Sequence, residues 1–353
     1  MCKTINHRLA IDKNQPCFII AEIGLNHNGD YQLAKESVIA AAKSGTDAVK
    51  FQNFLTEDFL SDKSILHTYK DGDKEVTEPL FDICKRSEFK KEWLPSLIEL
   101  CDRLGIIFLS TPTSESGVDD LIECGVKYIK NGSDYLSHIP LLRYMASTDA
   151  TIIISVGMAY QEEIDDAVNE ILSVQPDRSK LIILHCTSNY PTSPENVNLE
   201  KIKTLQDRYK VSVGFSDHTQ GCESAVQAVT LGARVVEKHF TLDKNLPGPD
   251  HWFSSDYQEF KDLVNQIRLA ESRMGNKALI PAKSEIKVRD QWRLGLVWSR
   301  DIKAKNVVLE HDIAIRKPAT GLQPKELYSV IGRIVVKDCK KGESVLKADY
   351  LDE

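Results

Sequence analysis

Two histidines, His218 and His239, stand 21 residues apart, each at the end of a short β-branched and apolar run. Between them residues 223–231 read as a small-residue helix closed by Gly232. One strand–helix–strand step therefore separates the two imidazoles and places them at the same end of neighbouring parallel strands. A lone histidine beside an apolar strand is most often a hydrogen-bonded structural residue. Two at matching positions of successive units point instead to a shared divalent metal with open positions for substrate. Pro247-Gly248-Pro249-Asp250-His251-Trp252 hangs a further acid and imidazole over that end, and His27 and His185 could also be drawn in.

Lysines form the second chemical group. Lys50 sits in Val49-Lys50-Phe51-Gln52, where Lys50 and Gln52 share a strand face, and Lys130 ends Tyr128-Ile129-Lys130. Either alone would be expected to snorkel to solvent. Together, ringed by Ser110, Thr111, Ser133, Ser155, Thr187, Ser188 and Ser216, they make a pocket for a compact phosphate or carboxylate dianion. Glu22, Tyr190, Asp217 and Glu237 complete the polar residues expected at strand ends.

These residues need a scaffold with many parallel strands. Apolar runs begin near residues 17, 47, 106, 128, 151, 181, 211 and 234, and each is followed by a helical pattern. Asp30 is a plausible N-cap for the first helix, over residues 33–43. Eight βα repeats predict an α/β fold, a (β/α)₈ TIM barrel with its chemistry at the C-terminal strand ends. An open doubly wound sheet is disfavoured, because no Gly-x-Gly-x-x-Gly follows the first strand and polar residues end nearly every strand. Residues 55–86, with Asp71-Gly72-Asp73, read as a long polar excursion, either a lid or a surface insertion. After Gly275 the pattern changes. Residues 276–290 suit a linker, and residues 291–353 carry short strand-like runs (294–298, 307–309, 331–336) of a small, mostly β second domain. The division is thus 1–275, 276–290 and 291–353.

Composition is that of a soluble chain, 42% hydrophobic and 27% charged, and the net charge of −7 argues against nucleic acid or an anionic membrane as partner. Met1 to Asn14 has no apolar leader pattern and no run approaches a membrane span. The eight cysteines (2, 17, 84, 101, 124, 186, 222, 339) contain no Cys-x-x-Cys pair, which favours reduced thiols and a cytoplasmic setting.

Six motifs together resemble one family: Ala21-Glu22-Ile23-Gly24-Leu25-Asn26-His27-Asn28-Gly29, Val49-Lys50-Phe51-Gln52, His185-Cys186-Thr187 with Tyr190-Pro191-Thr192, Gly214-Phe215-Ser216-Asp217-His218, Glu237-Lys238-His239-Phe240-Thr241, and Pro247-Gly248-Pro249-Asp250. In this order they resemble the sialic acid synthases, and Arg316-Lys317-Pro318-Ala319-Thr320-Gly321 resembles the antifreeze-like (SAF) domain that closes those chains. The resemblance implies condensation of phosphoenolpyruvate with an N-acylated mannosamine-type sugar to a nonulosonic acid. It places phosphoenolpyruvate contacts on Lys50, Thr111, Lys130, Ser133, Ser155, Ser188 and Ser216, and sugar contacts on Glu22, Gln52, Tyr190 and Asp250. It makes His218 and His239 the metal ligands, with manganese expected and magnesium or cobalt as alternatives. Glu22 would orient the sugar or relay a proton, and Glu237 would orient a metal ligand or water. A domain-swapped homodimer is also implied, with Arg316 or Lys317 reaching a partner's sugar.

Three positions depart from the family pattern. Ser188 stands where Asn is common, Asp134-Tyr135 where Gly-Glu is common, and Lys317 where Arg usually stands. Two rivals follow: a synthase acting on an aldose phosphate, and a sugar-binding homologue that has lost catalysis. The acceptor is left as N-acetylmannosamine, or a 2,4-diacetamido-6-deoxy sugar of the legionaminic or pseudaminic type.

Overall fold

The computed structural model describes residues 15–72 and 74–351. Cys2, Asp73 and the stretch Met1 to Asn14, all read above, lie outside the described residues. The chain forms two compact units, one ending at Gly275 and the other beginning at Asn276.

In the first unit, strands β1 (Phe18–Gly24), β2 (Ala48–Asn53), β5 (Ile107–Pro112), β6 (Tyr128–Asn131), β7 (Thr151–Ser155), β8 (Leu181–Cys186), β9 (Ser212–Asp217) and β10 (Val235–His239) pair in parallel. They close in the order β1-β10-β9-β8-β7-β6-β5-β2, the barrel that the βα alternation predicts. The first helix runs Tyr31–Ser44, capped as expected: the Asp30 carboxylate accepts from the backbone N–H of Gln32 and Leu33 at 2.6 and 3.2 Å.

Both strand faces are buried, so the apolar runs are nearly continuous. The face pointing outward packs on helices and includes Ile19, Ala21, Val49, Phe51, Phe108, Ile129, Ile152 and Val236. The inward face holds a separate apolar layer of Phe18, Ile20, Ala48, Leu109, Tyr128, Ile153, Ile182, Leu184 and Val235. Side chains alternate with a period of two, so the next inward position on each strand is Glu22, Lys50, Thr111, Lys130, Ser155, Cys186 or Glu237. Ser216 joins them above Gly214, whose missing Cβ would strike the Val235 carbonyl oxygen and the Leu184 side chain. A dry layer thus supports a polar one.

The excursion after β2 is more structured than its sequence suggests. It contains helices Thr56–Phe59 and Leu80–Arg86 around a hairpin of β3 (Leu66–Asp71) and β4 (Lys74–Pro79). Opposite charges face each other across that hairpin, Lys70 with Glu75 and Asp71 with Lys74. Tyr69 and Arg86 both donate to Glu78, and the Lys70 ammonium lies 5.0 Å from the Trp252 ring centroid. Among the described residues no helix is long and apolar enough to cross a membrane, and the seven described cysteines are free thiols.

In the second unit, β11 (Gly295–Trp298) pairs antiparallel with β12 (Ile313–Arg316), a strand the sequence reading did not single out. The runs expected at 307–309 and 331–336 make only single bridges, Val307 with Ile334 and Val335 with Tyr350. Trp298, Leu296, Val308, Val330 and Val345 form its core. The stretch expected as a linker carries a helix, Ile286–Trp292.

Candidate active site

A cleft of about 440 Å³ opens at the C-terminal end of the barrel. Its floor is the inward polar layer. The Lys50 ammonium stands 2.9 Å from Glu22 Oε2 and 3.8 Å from Glu237 Oε1, and donates to Thr111 Oγ1 at 3.2 Å. Strand register accounts for this, since Glu22 lies beside Lys50 on one neighbour and beside His239 on the other. Lys130 donates to Ser155 Oγ at 2.6 Å and to the Asn131 carbonyl at 3.1 Å, with Glu237 Oε1 at 3.9 Å. Gln52 donates to Glu22 Oε1 at 2.8 Å, and Ser216 to Glu237 Oε1 at 3.1 Å.

Two cations and two carboxylates are therefore buried together, and their proton affinities diverge. Burial raises Glu22, with the Glu237 charge adding to that and Lys50 opposing it. Burial also acts to raise Glu237, but Lys130 and Lys50 overcome it and hold that carboxylate below its ordinary range. Burial would discharge Lys50; Glu22 and Glu237 outweigh it, so its pKa is raised. For Lys130 burial prevails and its pKa is lowered. Carboxylates driven apart in this way suit one to carry a proton and the other to stay ionised.

His218 and His239 stand above this floor with ring centroids 5.7 Å apart. His218 Nδ1 is 2.8 Å from the Thr187 carbonyl, which assigns its proton there and turns Nε2 into the cleft, 3.4 Å from Ser216 Oγ. Burial holds His239 well below the usual imidazole range, and its Nδ1 is buried without a hydrogen-bond partner. Asp250 Oδ2 lies 3.8 Å from that nitrogen, and burial, reinforced by Glu22, pushes the Asp250 carboxyl up to about 7. The Tyr190 ring packs on His218 at 4.1 Å. Ser133 accepts from the Gly157 N–H at 3.0 Å, and a Cβ on Gly157 would collide with Ser188 Oγ.

The cleft thus gathers Glu22, Lys50, Gln52, Thr111, Lys130, Ser133, Ser155, Ser188, Tyr190, Ser216, His218, Glu237 and His239, and Asp250 stands beside His239. Arg316 closes β12 of the second unit, and the Lys317 ammonium there lies 4.4 Å from the Trp292 ring centroid. Six residues expected near the site point elsewhere, among them Ser110, which donates to Asn53 Oδ1 at 2.8 Å, and Thr187, which donates to the Asn196 carbonyl at 3.0 Å. His27 lies among Phe51, Phe89 and Trp93, accepting from the Gly29 N–H. His185 faces outward, bonded to the Val197 carbonyl and stacked on Phe215. His251 bonds Thr241. Asp217, one step out of phase with Ser216, pairs with buried Lys238 at 2.8 Å behind the strand.

Sequence reasoning missed Cys186, inward on β8, with Sγ 3.5 Å from Ser133 Oγ. Burial opposes its thiolate, yet His218 holds the thiol below its ordinary value. Its in-phase position above Leu184 was the available signal. Also missed were Leu25, Phe54, Phe59, Leu80, Cys84 and Met158, an apolar upper wall drawn partly from the excursion.

A closed (β/α)₈ barrel gathers paired lysines, paired carboxylates and two imidazoles at its C-terminal end, where barrel enzymes carry their active sites. Residues 37–278 match the NeuB family and residues 295–351 the SAF domain, so the chain belongs to the NeuB family and ends in a SAF domain. It is 39% identical over 332 residues to N,N'-diacetyllegionaminic acid synthase of Legionella pneumophila, covering 94% of this chain and 93% of that protein. It is 38% identical over 327 residues to the enzyme of the same name from Campylobacter jejuni, covering 93% and 98%. Among solved structures, the N-acetylneuraminic acid (sialic acid) synthetase of Leptospira borgpetersenii in complex with citrate superposes with a TM-score of 0.70 at 34% identity, covering 78% of this chain and 90% of that one. The relatives are nonulosonic acid synthases, and this chain is an enzyme of that family.

Proposed function

We propose that this enzyme condenses phosphoenolpyruvate with an N-acylated amino sugar and water, giving a nine-carbon 2-keto sugar acid and phosphate. The observation that carries the reading is the buried quartet of Lys50, Lys130, Glu22 and Glu237, ringed by Thr111, Ser133, Ser155, Ser188 and Ser216. The lysines and hydroxyls bind the phosphate and carboxylate of phosphoenolpyruvate and hold its C3 toward the acceptor, so that rate comes from positioning and fixed charge. C3 attacks the aldehyde of the open-chain sugar, water adds at C2, and the tetrahedral intermediate expels phosphate by C–O cleavage. Glu22, whose proton affinity is raised, carries a proton to or from the sugar end, with Gln52 orienting it. Glu237 stays ionised between the two lysines and, through Ser216, fixes the hydroxyl that lies beside His218. Gln52, Tyr190 and Asp250 contact the sugar.

The two imidazoles fit a divalent ion. His218 is held in the tautomer that leaves Nε2 as a donor atom, and neutral His239 has an orphaned buried nitrogen. Manganese, with magnesium or cobalt as alternatives, would supply Lewis-acid polarisation of the aldehyde. If His218→Ala keeps full activity and an unchanged divalent-ion dependence, this assignment is wrong.

For the acceptor, the names of the two relatives at 38–39% identity favour a 2,4-diacetamido-6-deoxy hexose of the legionaminic type over N-acetylmannosamine. Phosphate release from phosphoenolpyruvate across a panel of both sugars tests it; release that does not depend on any amino sugar would refute the condensation. The reading extends to a cytoplasmic homodimer in which Arg316 and Lys317 serve the partner's acceptor. Full activity after deletion of residues 291–353 would exclude that role.

A further inference from the structure

Strand register does not place Asp250. It hangs on the loop after β10, with its carboxylate 3.8 Å from His239 Nδ1. That loop leaves and rejoins the strand at a backbone neck, where the Ser255 N–H donates to the His239 carbonyl and the Thr241 N–H to the Ser255 carbonyl, both at 2.9 Å. The neck fixes where the loop begins and ends, and the turn after β1 fixes its interior. Asn28 Nδ2 donates to the Pro247 carbonyl at 2.7 Å, from a backbone with φ 50 that asparagine adopts more readily than most residues. Asn26 reaches further in. Its Nδ2 donates to the Phe240 carbonyl and to Ser254 Oγ, both at 2.9 Å, and the Ser254 hydroxyl donates in turn to the Asp250 carbonyl at 2.5 Å.

The directions of these bonds are forced. A carbonyl only accepts, so Phe240 fixes which end of the Asn26 amide faces it; Ser254 has given its proton to Asp250, so it too accepts. The amide holds this orientation although its own Oδ1 is buried without a hydrogen-bond partner. Asn26 is 2% exposed and Ser254 1%, and neither lines the cleft. One amide thus grips the residue that follows His239 and, through one hydroxyl, the backbone of Asp250. We propose that Asn26 is a positioning residue that, acting through Ser254, sets the Asp250 carboxylate beside His239 at the acceptor end of the site. This rests on the condensation reading above, in which Asp250 contacts the sugar, and adds to it the pair of residues that places that contact.

The test compares full-length wild type with Ser254→Ala, which cuts the branch to Asp250 alone, with Asn26→Asp, which removes the donor at nearly constant shape, and with Asp250→Asn alone and combined with Ser254→Ala. Phosphate release is measured with phosphoenolpyruvate, a divalent ion and a 2,4-diacetamido-6-deoxy hexose. Loss of one neutral hydrogen bond predicts a fall of about three- to tenfold in acceptor kcat/KM for Ser254→Ala, and at least as large a fall for Asn26→Asp. The KM for phosphoenolpyruvate should stay at its wild-type value. In the Asp250→Asn background, Ser254→Ala should cost little more, because residues acting through one group are not additive. An acceptor kcat/KM unchanged in Ser254→Ala overturns the inference, even with a lowered thermal midpoint, since the pair would then have a structural role alone. Equal losses in both backgrounds, or a loss expressed in the KM for phosphoenolpyruvate, overturn it as well. Wild-type enzyme that turns over no amino sugar overturns the condensation reading itself, and with it the sugar contact of Asp250, an outcome visible before any variant is made.

Discussion

Lys50 and Lys130 look interchangeable in the sequence, and the structure predicts that replacing them by methionine has different consequences for stability. Lys50 is the near partner of Glu22, at 2.9 Å, and a second cation for Glu237 at 3.8 Å. Removing it leaves Glu22 with only Gln52 as a neutral donor in a site where that carboxylate is about 1% exposed. Breaking one side of a buried pair in this way costs about 3–5 kcal/mol. Lys130 differs: burial already lowers its pKa, its nearest contacts are a hydroxyl and a carbonyl, and Glu237 keeps both Lys50 and Ser216 when it is gone. Replacing a desolvated cation by an apolar chain of similar length relieves a cost while removing a weaker attraction, so Lys130→Met should shift stability by less than about 2 kcal/mol. Both variants should lose about 10²-fold or more in turnover, the scale of removing one fixed donor from a developing or bound anion. Urea-unfolding midpoints and phosphate release from phosphoenolpyruvate, measured on the same preparations, give both quantities. Equal destabilisation by the two substitutions, or near wild-type turnover in Lys130→Met, would refute the reasoning.

Two further outcomes follow from residues outside the cleft. Asp217→Asn should destabilise the barrel by about 3–5 kcal/mol, because it strands Lys238 at 3% exposure with the Thr219 carbonyl as its remaining partner; a urea midpoint unchanged from wild type would return Asp217 to the site. His27 is held by burial at about 4. Its folded value lies below the unfolded one near 6.5, so the unfolded chain takes the proton first. The stability from His27 is therefore full above about pH 6.5 and falls by about 1.4 kcal/mol per pH unit as pH drops toward 4. Urea midpoints at pH 7 and pH 5 should show that loss, and His27→Asn should flatten the slope; an unflattened slope would contradict it.

The barrel was legible because eight apolar runs alternate with helical patterns, and Lys50 with Gln52 already showed a shared face. What the runs concealed was which face points inward. Strands buried on both sides carry no polar alternation to mark it, so His185 and Asp217 were drawn in as readily as Cys186 was passed over. The inward phase becomes visible only once Leu184 and Gly214 are known to line the interior. The excursion hid its hairpin for a different reason. Strands β3 and β4 bury one side chain between them, Tyr69, and otherwise carry mostly polar and charged residues, so neither shows the period-two apolar pattern that marks a half-buried strand. In the second unit the backbone pairs largely through isolated bridges, and β12 spans only Ile313–Arg316, too short for periodicity to register.

The most direct test of the condensation uses phosphoenolpyruvate labelled with ¹⁸O at its bridging oxygen, incubated with the enzyme, a divalent ion and the 2,4-diacetamido-6-deoxy hexose. Mass spectrometry of both products should find the label in inorganic phosphate and an unlabelled nine-carbon keto acid. Label retained in the keto acid, or phosphate released with no keto acid formed, would contradict it.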